Sequence, residues 1–431
     1  MKGYALRVLH HRIHDKSAVI AVKIVLRRGV ELTYVLKCMK RTTESIPDNL
    51  FYEYLAGRCM NTFSRYFPFF VRTYAFATDV DISGLINGIG DNSCKMNSSI
   101  DFKGTIRGEI TNIANDEKYY AIQSEDCWDS RRTCIFTQYI PHQHTLFNYI
   151  ATIVRNYGTY PEHYRKPPHE YYQLIAILFM IYGCLSTLSH VFTHYDLHAN
   201  NIVLYEIPSN QYVTVSCNCM INGIPKTIQL YTRYIPIIID YGRCYFACDN
   251  RYFIGAPIER SRVSNVVVND VCQNQYCSDH CGYRAGYTLG MEVPYQTYDR
   301  SNYYINRRYP NISHDVQCIN SIMKTFEVYT STDEHHSPKQ YVNMFRNKMK
   351  NINPSMRSKV WEPLQSKDST NTINNVRDVF SVLYDVINEP SYAYDGDSMI
   401  DDLWEYGTLK MTFIDNVQRV DDYKEFVFTK K

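Results

Sequence analysis

The chain has 431 residues, 45% hydrophobic and 21% charged, which is enough apolar side chain for one large or two ordinary folded domains and excludes a disordered chain. Lys and Arg total 46 against 44 Asp and Glu, and a formal net charge of +2 lacks the basic excess of a dedicated nucleic-acid binder, so nucleic acid is not expected as a partner. The most lipid-like stretch, Leu174 to Leu188, is shorter than a bilayer span and is broken by Gly183, Ser186 and Thr187, so it is expected as a buried helix with no membrane crossing.

The 39 tyrosines reveal no chemistry by themselves. The 14 cysteines are scattered, and Met-Lys-Gly-Tyr-Ala-Leu-Arg at the start lacks the apolar core of a signal peptide. A reducing, cytoplasmic setting is the expectation.

In chain order, Tyr4 to Leu9, Ala18 to Leu26 and Leu32 to Met39 read as strands of an antiparallel sheet, rich in Val, Ile and Tyr, with Arg28-Gly29 at a turn. Ser45-Ile-Pro-Asp48 supplies the cap and first turn of a helix to about Met60, with Leu50, Tyr54, Leu55 and Cys59 at helical spacing. Phe67 to Ala77 reads as a strand, and residues 79 to 118, rich in Gly, Asn, Ser and Asp, as an inserted loop. Strands resume at Tyr119 to Gln123 and Thr133 to Ile140, and a helical stretch begins near Thr145. Helices are predicted from about His169 to Leu188 and near Val316 to Glu327, Pro338 to Lys350 and Val376 to Ile387. The tract from Ala247 to Asn311 is longer than an ordinary connection needs.

Chemistry concentrates in Phe192-Thr-His194-Tyr-Asp196-Leu-His198-Ala-Asn-Asn201 and in Ile237-Ile-Ile-Asp240-Tyr-Gly242. Each residue alone has a plain structural reading: Asp196 as a turn residue, Asn201 as a loop cap, Asp240-Tyr-Gly as the turn that ends a strand. Together and in this order, the first segment resembles the catalytic loop H-R-D-L-x-x-x-N of the protein-kinase superfamily, and the second resembles its D-F-G turn with Tyr241 in place of Phe. Phosphoryl transfer needs a carboxylate to orient the hydroxyl and oxygen ligands for Mg²⁺. The resemblance implies that Asp196 accepts or orients the hydroxyl proton, that Asn201 binds one metal, and that Asp240 bridges metals to the phosphates of ATP.

The same resemblance extends to the N-terminal half. Tyr34-Val-Leu-Lys37 is similar to the V-A-I-K element, which makes Lys37 the phosphate-binding lysine and Glu53 on the following helix its partner, against the bland alternative of a surface lysine and a solvated glutamate. Thr133 to Ile140 resembles the strand entering the interlobe hinge, which sets Thr137 at the back of the adenine pocket and gives adenine the backbone of Gln138 to Ile140. Asp315 resembles the aspartate that braces the catalytic-loop backbone, and a helix cap explains it as well.

Several positions depart from the family. His10 to Ser17, read as the loop between the first two strands, contains no glycine where protein kinases have G-x-G-x-x-G. Tyr195 replaces the Arg that pairs with a phosphorylated activation segment, which argues against control by that route. His198 replaces the usual Lys, giving a pattern similar to that of the aminoglycoside phosphotransferases; it is expected either at the γ-phosphate or as a structural hydrogen-bonding residue. No A-P-E element is evident. Cys272, Cys277, His280 and Cys281 lie close together, but their spacing matches no standard zinc knuckle, and reduced cysteines in a partly buried loop are the favoured reading over Zn²⁺.

The expected architecture is therefore α+β: a bilobal protein-kinase-like fold with a β-rich N-lobe over residues 1–138 and a mainly helical C-lobe over 139–431, enlarged at about 240–314. ATP and Mg²⁺ are expected between the lobes. The favoured activity is Ser/Thr protein phosphorylation, since the D-L-A-A-R-N form of the loop is absent, and the alternatives are a small-molecule hydroxyl acceptor or a pseudokinase scaffold. The look of Thr193 to Asn201 and of Asp48 to Leu55 also resembles uncharacterised kinase-like proteins of large DNA viruses.

Overall fold

β-Branched and aromatic residues, which fit a pleated and half-buried surface, make the first three segments strands. In the computed structural model of the chain these are β1 (Ala5–Ile13), β2 (Ser17–Val25) and β3 (Glu31–Met39). The structure describes residues 5–13, 17–25, 31–39, 50–77, 134–141, 143–157, 169–208, 210–247, 287–289, 303–305, 310–330, 349, 373, 375–389, 403–414 and 423–431. The predicted insertion at 79–118, the strand Tyr119 to Gln123, the cysteine cluster at 272–281 and all but Met349 of the helix Pro338 to Lys350 lie outside the described residues. The chain divides into two units: Met1–Thr62, Val71–Ile140 and Asp240–Tyr287 form the first, and Phe63–Phe70, Pro141–Ile239 and Thr288–Lys431 the second.

In the first unit β1, β2 and β3 join β4 (Thr73–Ala77) and β5 (Cys134–Gln138) in one antiparallel sheet of order β1-β2-β3-β5-β4. The first hairpin is tighter than its sequence suggests, because His10, His11, Arg12 and Ile13 are not loop but pair with Ala21, Ile20, Val19 and Ala18 after a register shift between Val8 and His10. Phe67 to Ala77 is strand only from Thr73; residues 64–66, 68 and 69 form turns.

Helix α1 (Leu50–Phe63) meets β4 through Asn61 and Gly57, two positions of one stripe four residues apart. Asn61 donates from Nδ2 to the Thr73 carbonyl at 2.6 Å and accepts the Thr73 amide at 2.9 Å. One turn earlier, Gly57 lets the helix come so close that a Cβ there would collide with the Thr73 hydroxyl. Glu53, one turn earlier again, is buried.

In the second unit α3 (His169–Thr187), which follows α2 (Leu146–Tyr157), is apolar nearly all round, and every residue from Tyr171 to Thr187 is buried. A helix of that kind has no solvent face to spare, which makes it the centre of a core. No helix among the described residues is long and apolar enough to cross a membrane. A three-stranded sheet sets β7 (Ile202–Glu206) between β6 (Gln143–Thr145) and β10 (Tyr234–Ile238). Between them in sequence, β8 (Gln211–Ile221) and β9 (Ile224–Thr232) form a hairpin. Its turn residues Asn222 and Gly223 have φ of 50° and 76°, the left-handed pair that a two-residue hairpin loop requires.

Among the described residues beyond Gln138 strands are as prominent as helices, so that part is α+β rather than mainly helical. Helices α4 (Gln317–Thr330) and α5 (Val376–Asn388) are present, but β11 (Trp404–Phe413) lies parallel to β8, and β12 (Val427–Lys430) completes a four-stranded sheet of order β9-β8-β11-β12. Leu409, Met411 and Phe413 alternate inward along β11. The Phe413 ring meets Phe380 of α5 at 5.5 Å and Phe179 of α3 at 6.1 Å, and Gly183 leaves the room for it.

Candidate functional site

Lys37 sits on β3 opposite Ile135 of β5, inside the first unit's sheet, and α1 carries Glu53 to it. Its Nζ lies 2.8 Å from Glu53 Oε2 and 2.9 Å from Asp240 Oδ1. Burial draws the lysine's pKa down, and the carboxylates of Asp240 and Glu53 more than reverse this, so the net displacement is upward and the ammonium is locked in its charged form. Asp240 itself holds a left-handed backbone, φ 66°, rarely adopted by a residue with a side chain. Its side chain is 41% exposed, so the carboxylate also faces solvent. Tyr241, in the position of the family's Phe, is buried and donates its hydroxyl to the Val71 carbonyl at 3.3 Å.

Along β5, Thr137 reaches the Val35 carbonyl only at the 3.5 Å limit of a hydrogen bond. The Gln138 amide is spent on the Arg72 carbonyl at 2.8 Å, and its side-chain oxygen accepts the Arg72 amide, so that backbone N–H is not on offer to a ligand. Ile140 is buried at the end of this segment.

The second unit builds the turn around Asp196. Asp315, at the centre of a short 3-10 turn (His314–Val316), accepts the His194 amide on Oδ2 at 2.8 Å and the Tyr195 amide on Oδ1 at 3.0 Å. It therefore braces the loop and does not cap its own helix. Tyr182 of α3 fixes that turn in place by donating its hydroxyl to the Asp315 carbonyl at 2.8 Å. His194 is fully buried; its Nδ1 accepts the Asp196 amide at 3.3 Å, which leaves the proton on Nε2 for the Ile239 carbonyl at 2.9 Å. On the far side, Asn201 Nδ2 donates to the Asp196 carbonyl at 2.9 Å.

The Asp196 backbone is thus tied at both ends, and its side chain lies on a half-exposed residue. Tyr195 holds φ 60°, a conformation costing a residue with a side chain roughly 1–2 kcal/mol. His198 caps the short 3-10 turn Ala199–Asn201, its Nδ1 accepting the Asn200 amide at 3.2 Å. Ile239 donates its amide to the Asn201 carbonyl at 3.0 Å, so the strand leading into Asp240 is pinned to the loop that carries Asn201.

Two residues each carry an oxygen of the kind a hard cation takes, Asn201 in the second unit and Asp240 in the first. Asn201 turns its amide nitrogen to Asp196, and its Oδ1 accepts no hydrogen bond among the described residues. Asp240 offers a carboxylate that is partly solvent-facing, and amide and carboxylate oxygens are what Mg²⁺ takes. No cluster of three or more His, Cys, Asp or Glu suited to a metal occurs among the described residues. Of the described cysteines, Cys134, Cys184, Cys217, Cys219, Cys244 and Cys318 are buried and outside any disulfide, while Cys59 of α1 is disulfide-bonded; burial pushes the Cys318 thiol up to about 12, so it is a core residue and not a nucleophile.

The brace was legible in part, through Asp315, while Tyr182 and His314 carried no signal of spacing because they meet the loop only through the fold. No family model matches the chain, and no curated protein matches it. Among solved structures, one described as a kinase domain aligns over 79% of this chain and 83% of its own, with 12% sequence identity and a TM-score of 0.28, a level of likeness that leaves the fold to be argued from the chain itself.

Proposed function

We propose that the chain is an ATP-dependent phosphotransferase of protein-kinase-like fold that passes the γ-phosphoryl group to a hydroxyl. The observation that carries this reading is the Asp196 turn, whose flanking amides and carbonyl are held by Asp315, His194 and Asn201 on a half-exposed residue. The Asp196 carboxylate orients the attacking hydroxyl and takes its proton. Lys37, kept charged and aimed by Glu53, contacts phosphate oxygens. By the family resemblance Asn201 and Asp240 would be the residues that hold Mg²⁺, which would neutralise phosphate charge.

Thr137 and the backbone toward Ile140 face adenine in this reading, with the Gln138 amide excluded as a donor. The favoured acceptor is a Ser or Thr hydroxyl of a protein. His198, whose Nδ1 takes the Asn200 amide, keeps both of its expected roles in this reading, at the γ-phosphate or as a structural hydrogen-bonding residue.

The test is turnover of labelled ATP on a protein mixture and on a panel of small alcohols, with thermal shift by ATP in the presence and absence of Mg²⁺. Asp196→Asn keeps the shape and loses the base, so turnover should fall about 10²-fold or more with the ATP shift retained. A folded Asp196→Asn protein turning over like wild type excludes the assignment. Transfer only to small alcohols moves the substrate class to the aminoglycoside-kinase type, and a wild type with neither turnover nor a metal-dependent shift is a scaffold.

A further inference from the structure

We infer that Tyr195, through the buried face its ring shares with His314, is the positioning residue that sets the direction of the Asp196 carboxylate. The catalytic consequence rests on the phosphotransferase reading above; the geometric one does not. A left-handed backbone at a residue with a large side chain persists only where its surroundings over-determine it, and here φ is 60°.

Two anchors supply that constraint, both from the same 3-10 turn, His314–Val316. Asp315 takes the amides of residues 194 and 195 on its two carboxylate oxygens, 2.8 and 3.0 Å away. His314, the residue before it, meets the Tyr195 ring at 4.8 Å between centroids with the planes at 64°, and the tyrosine is completely buried. The backbone bonds fix where the loop runs, and the ring contact fixes how residue 195 is rotated about that path. A return to the ordinary negative φ would either swing the ring off His314 or pull the amide from Asp315. Asp196 is the next residue, so the rotation at 195 decides where its carboxylate points.

If the ring merely filled the core, its loss would lower stability and leave the geometry of the loop alone. Tyr195→Gly separates the two roles, because glycine tolerates the left-handed backbone without strain and supplies no ring to hold it there. The expected result is a folded protein in which the Tyr195→Gly exchange of the residue 195 and 196 amides with solvent loses its protection. Its kcat should drop roughly tenfold to 10²-fold, the scale set by a misplacement of about 1 Å, while the KM for ATP stays within about threefold. Tyr195→Phe, which keeps the ring, should restore both protection and kcat.

Wild-type protection at residues 195 and 196 in Tyr195→Gly overturns the inference, and so does lost protection with an unchanged kcat. If Tyr195→Gly does not fold, His314→Ala removes the facing ring with Tyr195 in place and carries the same expectations. Should the wild type show no turnover on any acceptor, the phosphotransferase reading fails, and the exchange measurement still decides whether the ring sets the loop.

Discussion

One ammonium between two carboxylates is the most consequential arrangement at the scale of single residues. Lys37 is 18% exposed at its side chain and Glu53 only 9%, so Lys37→Met would leave a nearly buried carboxylate without its cation. The expected cost at neutral pH is about 2–3 kcal/mol, below the figure for a fully buried pair because Asp240 is 41% exposed and keeps much of its hydration. Because the folded-state pKa of Lys37 is raised, its contribution is complete below the ordinary lysine value of about 10.4 and is lost as pH climbs through the raised value. Urea unfolding of wild type should therefore weaken above about pH 10 more steeply than that of Lys37→Met, with the tyrosines titrating alike in both. Parallel curves would mean that Lys37 gains nothing from the two carboxylates. Lys37, Glu53 and Asp240 were legible because each lies within a short local pattern; the joining of Lys37 to Asp240, 203 positions apart, was not, since no local pattern encodes it.

At the scale of elements, α1 shows how a helix that is easy to read can hide what it does. Its apolar spacing marks its existence, and its function lies on a different stripe, Glu53, Gly57 and Asn61, where a carboxylate, a missing side chain and an amide sit one turn apart. In an open helix Gly57→Ala would gain up to about 1 kcal/mol of helix propensity. Here the added methyl meets Thr73, whose backbone is held by Asn61, and overpacking of that kind costs about 1–3 kcal/mol, so the net effect should be destabilising. Thr73→Ala in the same chain should return part of the loss, which a double-mutant cycle by urea unfolding would measure. A more stable Gly57→Ala protein would show that α1 can move away from β4. The first hairpin offers the complementary lesson: a run of His and Arg looks like loop, yet its backbone pairs through Ile13, because hydrogen bonding in a strand does not consult side-chain polarity.

For the whole molecule, the four-stranded sheet is the feature that sequence order concealed. β11 pairs in parallel with β8 across nearly two hundred residues, a contact with no local signature, although Leu409, Met411 and Phe413 alternate as a half-buried strand should. Phe413 is where that distant pairing becomes core: its ring stacks on Phe67 at 5.9 Å and touches Phe179 and Phe380, joining strand β11 to α3 and α5. Phe413→Ala would open a cavity among three aromatic rings that α3, already packed on every side, cannot collapse to fill. The expected loss is about 3–5 kcal/mol, seen as a lower urea midpoint at unchanged slope. Phe413→Leu keeps most of the volume and should cost clearly less. A Phe413→Ala loss under about 1 kcal/mol would place the ring outside the core and remove β11 from the structure that supports α3, whose Tyr182 holds the turn bearing Asp315.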